Sequence, residues 1–371
     1  MRSVDALKGS LGRVVQLTRN FTSESSPRRE VIDAISAAFE AGWADPKKLS
    51  QASARASALR AAAIDQFAGA LAVSPSAIEI VGEPALLHQL AIEGYLRNGM
   101  HLVTSNLDVG KVRAVAHRYA GPKSALQSDR NGRLQISSKT ISDLNGARDG
   151  ALISLQERNG EIGVTQNVPG LIEDLSETVH AILDCTKSIP RALDQRISAA
   201  TYEATSWQGP TGIGFLLINN SEKYRYPLPH LAPIRVPGTY SLPLLIGAIV
   251  ALDLFQSNIQ AIRNLRPLAI RELSTIPGLT VIGDEIESDS RYLSLVIDGA
   301  IAEEITRELN DGGIEVDAGS ACSPDYLAPS HVITSLGYKS EGHLRITLKT
   351  EHKIEDVEAL CNAIKSITLR S

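Results

Sequence analysis

Short apolar runs alternating with helix-length segments constrain the fold of this chain more than any other feature. "AIEIVG", "HLVTS", "GALISLQ", "HAILDC" and "ATSWQGPTGIGFLLI" each hold a brief, nearly unbroken apolar stretch. Strands of this kind belong to parallel sheets covered by helices on both faces. Between them, "SSPRREVIDAISAAFEAGW" repeats apolar positions at three- and four-residue spacing after a Ser-Pro start, and the Ala-rich "SARASALRAAAIDQFAGALAV" reads as one long helix. The alternation predicts an α/β fold with a mainly parallel sheet. From about Pro243 the pattern changes to a long apolar helix followed by "GLTVIG", "RYLSLVID", "AEEITRELNDGGI", "HLRITL" and a last helix from Ile354. That order predicts a smaller α+β domain.

A chain of 371 residues exceeds what one core usually supports. Residues 21–242 are expected to form the large domain, with 1–20 and 243–371 forming the small one. The net charge of −5 gives no electrostatic footprint for nucleic acid. The start lacks an apolar stretch followed by a small-residue cleavage site, and the longest apolar run, "LPLLIGAIVALDLF", is interrupted by Pro, Gly and Asp. No signal and no membrane span are expected, and the cytoplasm is the expected location. Three cysteines, Cys185, Cys322 and Cys361, do not make a disulfide framework. Cys185 and Cys361 read as core residues. The histidines have no ligand spacing with acids or cysteines, so no metal site is expected.

Ligands of open α/β sheets sit beyond the carboxyl ends of the strands. Asp184 stands there, directly after an apolar run, with Cys185, Thr186 and Lys187 behind it. "GPTGIG" is a tight turn that permits close backbone approach. Cys322 is flanked by small residues and then Ser323 and Pro324, the composition of an accessible loop where thiolate chemistry can occur.

Several segments, in order along most of the chain, resemble the NifS/IscS-type cysteine desulfurases of the class V aminotransferase group, enzymes of PLP-dependent fold type I. "GIEVDAGSACSPDYLAPSHVITSLGY" is similar to their active-cysteine loop, "ERNGEIGVTQ" to N-N-E-x-G, "ILDCTKS" to V-D-x-x-Q-S, "GPTGIG" to G-P-x-G-I-G, and "LRITL" to I-R-x-S. The resemblance implies a seven-stranded-type sheet in a large PLP-transferase domain plus a small C-terminal domain, and PLP as cofactor. It assigns Asp184 to the pyridine nitrogen, Asn159 to the ring face and hydroxyl, Thr239 to a partner subunit's phosphate site, and Arg345 to the substrate carboxylate. Cys322 falls on the nucleophile that accepts sulfur as a persulfide.

Other positions depart from the pattern. The Schiff-base lysine falls on Ser206, which cannot form an imine, and its neighbouring histidine falls on Thr205. The phosphate turn G-G-T-E-S-N-N aligns with "EPALLHQ", placing Pro84 at a glycine and Ala85 at the threonine. Proline removes an N–H donor from a phosphate cradle. The stacking histidine falls on Val109, Glu203 brings a carboxylate toward the phosphate position, and "DPKKLS" (residues 45–50) replaces N-P-S-S-x-H. His88 and Gln89 stand at the paired asparagines and read as helix residues packing locally. Lys187 replaces the glutamine that touches the ring hydroxyl. It reads either as a relocated imine-forming lysine or as a side chain that fills empty space and pairs with Asp184 or Glu203.

The resemblance with its losses implies a desulfurase-like pseudoenzyme: a homodimer, or a heterodimer with a true desulfurase subunit, that hands sulfur through Cys322 to an acceptor or scaffold protein. The alternatives are an active desulfurase using Lys187, and a structural or regulatory module in which Cys322 is incidental.

Overall fold

The structure is a computed structural model, and it describes residues 19–230, 236, 238–283, 288, 290–319 and 330–370. In chain order the strands are β1 (Arg19–Asn20), β2 (Ile78–Val81), β3 (His101–Ser105), β4 (Lys123–Ser128), β5 (Leu134–Gln135), β6 (Ala151–Gln156) and β7 (Val179–Asp184). They continue with β8 (Ile197–Glu203), β9 (Gly214–Ile218), β10 (Leu279–Ile282), β11 (Tyr292–Ile297), β12 (Ile314–Glu315), β13 (Asp317–Ala318) and β14 (His343–Thr347). The α-helices are α1 (Arg29–Ala41), α2 (Gln51–Leu71), α3 (Leu87–Tyr95), α4 (Gly110–Arg118), α5 (Ser138–Asn145) and α6 (Val168–Ile172). After them come α7 (Leu242–Leu273), α8 (Ala302–Asp311), α9 (His331–Ser335) and α10 (Ile354–Thr368).

Among the described residues the main sheet has eight strands in the order β2-β9-β8-β7-β6-β3-β4-β5. β9 runs against both its neighbours and β5 runs against β4, while the other neighbouring pairs are parallel. The expected parallel architecture is present, and the two-residue β5 extends the expected seven-stranded plan at one edge. A second sheet, β10-β11-β14-β13, is antiparallel and is built from the C-terminal part of the chain.

The unbroken apolar runs are explained by two cores. Successive side chains of a strand point to opposite faces. Ile153 and Leu155 of β6 and Ala181 and Leu183 of β7 enter one core with Phe67 of α2 and Leu245 of α7. Leu152 and Ile182, on the same strands, enter another with Leu87 and Leu90 of α3 and Val112 of α4. Phe67 anchors the first core: its ring stacks on Phe215 of β9 with centroids 3.9 Å apart, and Trp207 lies 6.1 Å away. The Trp207 indole N–H donates to the Ala248 carbonyl of α7 at 2.9 Å, which ties the turn after β8 to that helix.

α7 is apolar enough to cross a bilayer by length and composition, with mean hydropathy 1.7 over 18 residues, although its sequence is interrupted by Pro and Gly. Half of that window is buried in the fold, and the helix packs against α1, α2 and α10, as a core helix does.

Because β7 and β8 are parallel, Asp184 and Glu203 end their strands on the same side of the sheet. Gln156 ends β6 beside Asp184. β8 then runs into a 3-10 turn, Ala204–Trp207, and Gln208 follows with φ of 60°. That left-handed backbone is unfavourable for a residue with a Cβ. Tertiary bonds hold it: the Gln208 side chain donates to Glu351 at 2.8 Å and accepts from the Thr350 N–H at 3.1 Å and hydroxyl at 2.9 Å.

Phe67→Ala should therefore lower unfolding free energy by about 3–5 kcal/mol. Urea denaturation followed by far-UV circular dichroism reads the change, and a loss below about 1 kcal/mol would show that the first core does not depend on this stack.

Candidate functional site

Asp184 is the hub of the polar cluster at the strand ends. Its side chain is only 5% exposed, so every lone pair needs a donor from the chain. Oδ1 accepts from the Thr186 N–H at 2.9 Å and from the Thr186 hydroxyl at 2.6 Å. Oδ2 lies 3.0 Å from His88 Nε2 and 3.5 Å from Gln156 Nε2. An ionised carboxylate offers about four acceptor sites. Each has a donor of the chain's own beside it. The His88 N–H is not aligned for a directed bond, so that contact acts as charge on charge whenever the imidazole is protonated. Burial alone would raise the Asp184 pKa, but the neighbouring His88 imidazole and the bonds from Thr186 overcome it and hold the carboxyl well below the usual range.

His88 reaches Asp184 because it sits on the first turn of α3, which packs its apolar side on β7 and β8. The expectation that it packs only locally is corrected: it is the charge partner of Asp184. Asp108, in the loop after β3, belongs to the same electrostatic cluster. Burial pushes its carboxyl up to about 7, bonds from Ser105 oppose the rise, Asp184 adds to it and His88 counters it. Its Oδ2 accepts from the Ser105 N–H at 2.7 Å.

Asn159 is buried and locally satisfied. It donates to Gln156 at 2.9 Å and to the Leu107 carbonyl at 3.2 Å, and it accepts from the N–H groups of Glu161 at 2.9 Å and Ile162 at 3.0 Å. Ser206 is buried in the 3-10 turn, where its hydroxyl donates to the Thr186 carbonyl. A serine at this position thus ties the turn after β8 to the loop after β7. The carbonyl of Ser206 accepts from Arg291 at 3.1 Å. Lys187 is half-buried with its methylenes over Gly160, where a Cβ would meet Cγ at 2.5 Å. It makes no ion pair with Asp184 or Glu203, which corrects the expected pairing; the Asp184 charge is already met by His88.

At the turn after β2, Glu83 caps the short 3-10 segment Pro84–Leu86, its carboxylate accepting from the Ala85 N–H at 3.2 Å. Pro84 has no N–H, and the donor of Ala85 is held by the chain's own anion. Thr239 is exposed, and its carbonyl lies over Gly82, where a Cβ would come within 2.4 Å of it. Glycine at 82 is what lets the two segments touch. Val109, immediately before α4, packs with the second core as an apolar residue.

Arg345, on β14, is half-buried and lies 4.0 Å from Asp317. Glu161 adds a second carboxylate to its surroundings: burial raises the Glu161 pKa, and a bond from Ser330 and the charge of Arg345 lower it. Next to Arg345, His343 is fully buried, with Nε2 2.7 Å from the Ser294 hydroxyl; burial, with Arg345 adding to it, lowers its pKa to about 3. Cys322 lies outside the described residues, as does the rest of the segment 320–329. Cys185 and Cys361 are buried and unpaired, as expected of core residues. Among the described residues no group of His, Cys, Asp and Glu is arranged to hold a metal.

Sequence reasoning missed four participants: His88, Asp108, Glu83 and Arg291. No local signal marks His88, whose partner Asp184 lies far along the chain. Nothing local marks Arg291, whose buried guanidinium reaches the 205–206 carbonyls from 85 residues away.

The sheet order, with β9 antiparallel between its two neighbours in an otherwise mainly parallel sheet, and the acidic strand end describe an α/β protein of the PLP-transferase architecture. A search against family profiles matches residues 22–360 to the family described as Aminotransferase class-V, and the chain belongs to that family. Among curated relatives, "Cysteine desulfurase IscS" of Dictyoglomus turgidum is 24% identical, over 94% of this chain and 93% of its own length. "Cysteine desulfurase IscS" of Methanosarcina thermophila is 28% identical over 59% of this chain, and the match spans only 58% of that relative's length. A solved NifS-like protein superposes with a TM-score of 0.83 at 18% identity, covering 96% of this chain and all of the other. The apo cysteine desulfurase of Thermococcus onnurineus does so with a TM-score of 0.78 at 16% identity, covering 95% of each chain. At such identities the superpositions speak for the fold.

PLP would need an amine for its aldehyde, free backbone donors for its phosphate and a free carboxylate acceptor for its ring nitrogen. Here those three places hold Ser206, the Glu83-bound turn with Pro84, and an Asp184 already surrounded by donors. The residues present do not fit the group.

Two outcomes are expected. His88→Ala should lower unfolding free energy by roughly 3–5 kcal/mol, the cost of leaving Asp184 buried without its charge partner; a loss under about 1 kcal/mol in urea titration would contradict the pairing. The raised pKa of Asp108 means that the folded state holds its proton more tightly than the unfolded chain, whose carboxyl titrates near 3.9. Its contribution to stability is therefore complete below about pH 4 and is lost as pH rises to about 7. Asp108→Asn should gain stability relative to the parent across that window, on the order of 4 kcal/mol by pH 8, and equal pH profiles for the two proteins would contradict it.

Proposed function

We propose that this chain is a cysteine desulfurase-like protein that has left PLP chemistry and serves as a sulfur-handling or partner subunit. The observation that carries the reading is the combination of Ser206 at the lysine position with an Asp184 carboxylate whose acceptor sites are met by His88, Gln156 and Thr186. The family membership supplies the sulfur context, and the curated relatives of that family named above are cysteine desulfurases.

In this reading Cys322 accepts sulfur made elsewhere. Its thiolate attacks the outer sulfur of a donor persulfide, a new S–S bond forms on Cys322, and the donor leaves as a thiolate that takes up a proton. No net oxidation occurs, so no cofactor is required. The donor would be an active desulfurase subunit, in a heterodimer with this chain or in passing contact with a homodimer of it, and an acceptor or scaffold protein would take the sulfur on. A reducing compartment, the cytoplasm, suits free thiols.

Purified protein incubated with PLP should show no visible absorbance of a protein-bound imine after desalting and should release no sulfide from cysteine. A yellow protein with cysteine-dependent sulfide release would overturn the reading. Borohydride trapping of PLP on Lys187 would instead establish the alternative, an active desulfurase with a relocated lysine. Under the proposed reading a persulfide donor should label the wild type and not Cys322→Ala. Equal labelling of both would leave Cys322 incidental.

A further inference from the structure

The main sheet has a second polar end. His180 and Asp184 lie on the same strand, β7, so the His180 end is roughly 13 Å from the Asp184 cluster. There a cavity of about 310 Å³ is lined by His180, by Arg97 just after α3, by Lys223 and Arg225 in the loop after β9, and by Asp149 and Glu222. A cavity of that size holds a small metabolite.

Arg97 is fixed before any ligand arrives. Its guanidinium closes the C-terminal end of α3, Nη1 donating to the Leu96 carbonyl at 2.9 Å and Nη2 to the carbonyls of Gly94 at 3.0 Å and Lys223 at 2.8 Å. These acceptors are neutral, so the positive charge is not cancelled, and among the described residues Nε makes no hydrogen bond. Burial and the charge of Arg225 lower the Arg97 pKa, and burial with the charges of Arg97 and Lys223 lowers that of His180. The three cations therefore act on one space. Among the described residues none of them forms an ion pair with a carboxylate. Holding like charges together costs stability unless an anion meets them. Closing the helix end accounts for Arg97 alone; the side chains of Lys223 and Arg225 make no hydrogen bond among the described residues and serve no such role.

We propose that this cavity binds a phosphorylated polyol, with the phosphate on Arg97, Lys223 and Arg225 and the polyol hydroxyls on the carboxylates of Asp149 and Glu222. Guanidinium and ammonium groups make the strong, charge-assisted bonds to a phosphate dianion. Ionised carboxylates only accept, so they take hydroxyl donors and repel a second anionic group. Three cations against two carboxylates leave an excess of positive charge that one phosphate answers. The assignment does not depend on the reading of Cys322.

Isothermal titration calorimetry of the full chain with ribose 5-phosphate, inorganic phosphate and ribose tests it. Ribose 5-phosphate should bind about tenfold or more tightly than inorganic phosphate, and ribose alone should give no heat of binding. Lys223→Gln and Arg225→Gln should each raise the ribose 5-phosphate dissociation constant about tenfold, the loss of one charge-assisted hydrogen bond. Glu222→Ala should weaken ribose 5-phosphate and not inorganic phosphate. All three side chains are exposed, so circular dichroism and melting should stay those of the parent. Lys187→Gln, beyond the Asp184 end of β7, should leave the affinity unchanged. Absence of ribose 5-phosphate binding, equal affinity for inorganic phosphate, or binding that Lys187→Gln removes while Lys223→Gln and Arg225→Gln retain it would each overturn the proposal.

Discussion

A buried carboxylate must be met on all its lone pairs, and the region around the β7 end is organised by that requirement at Asp184. Bringing a carboxylate out of water costs several kcal/mol unless charge and hydrogen bonds compensate. Here the compensation comes from three directions: the loop that follows it through Thr186, the neighbouring strand through Gln156, and α3 through His88. The position of α3, the geometry of the loop after β7 and the turn held by Ser206 are linked to that one group. In a chain that bound a cationic ring at this carboxylate, one of these donors would have to yield its place.

A second constraint joins the two sheets. Arg291 precedes β11 of the small sheet and places a buried guanidinium beneath the turn after β8, donating to the carbonyls of Thr205 and Ser206 and to the Ser25 hydroxyl. Burial lowers its pKa, and the rings of Phe255 and Tyr292 lie 5.9 and 5.8 Å from it. Gln208 adds the bonds to Thr350 and Glu351 that hold its left-handed backbone. The turn that carries Ser206 is therefore fastened from the C-terminal part of the chain, and a side chain there is placed by the whole fold.

The parallel sheet was legible because its strands are covered on both faces, so Leu152 and Ile153 are equally apolar yet serve different cores. The acidic strand end was legible for the same reason: an acid following an apolar run has few other places to be. The departures at Ser206, Pro84 and Val109 could be read by position within recognisable segments. His88 could not, because its role depends on the distance between a helix start and a strand end, which no local pattern encodes. The pairing expected of Lys187 failed on the same account. Proximity in sequence to Asp184 was mistaken for proximity of charge, while the carboxylate was already met from α3.

The central claim is that this pocket is completed by the chain's own side chains. A crystal structure of the protein grown with excess PLP tests it most directly. The account predicts density for the His88 imidazole within ion-pair distance of Asp184 and none for a pyridine ring beside it. A ring seated on Asp184, whichever nitrogen of the protein holds its aldehyde carbon, would contradict it.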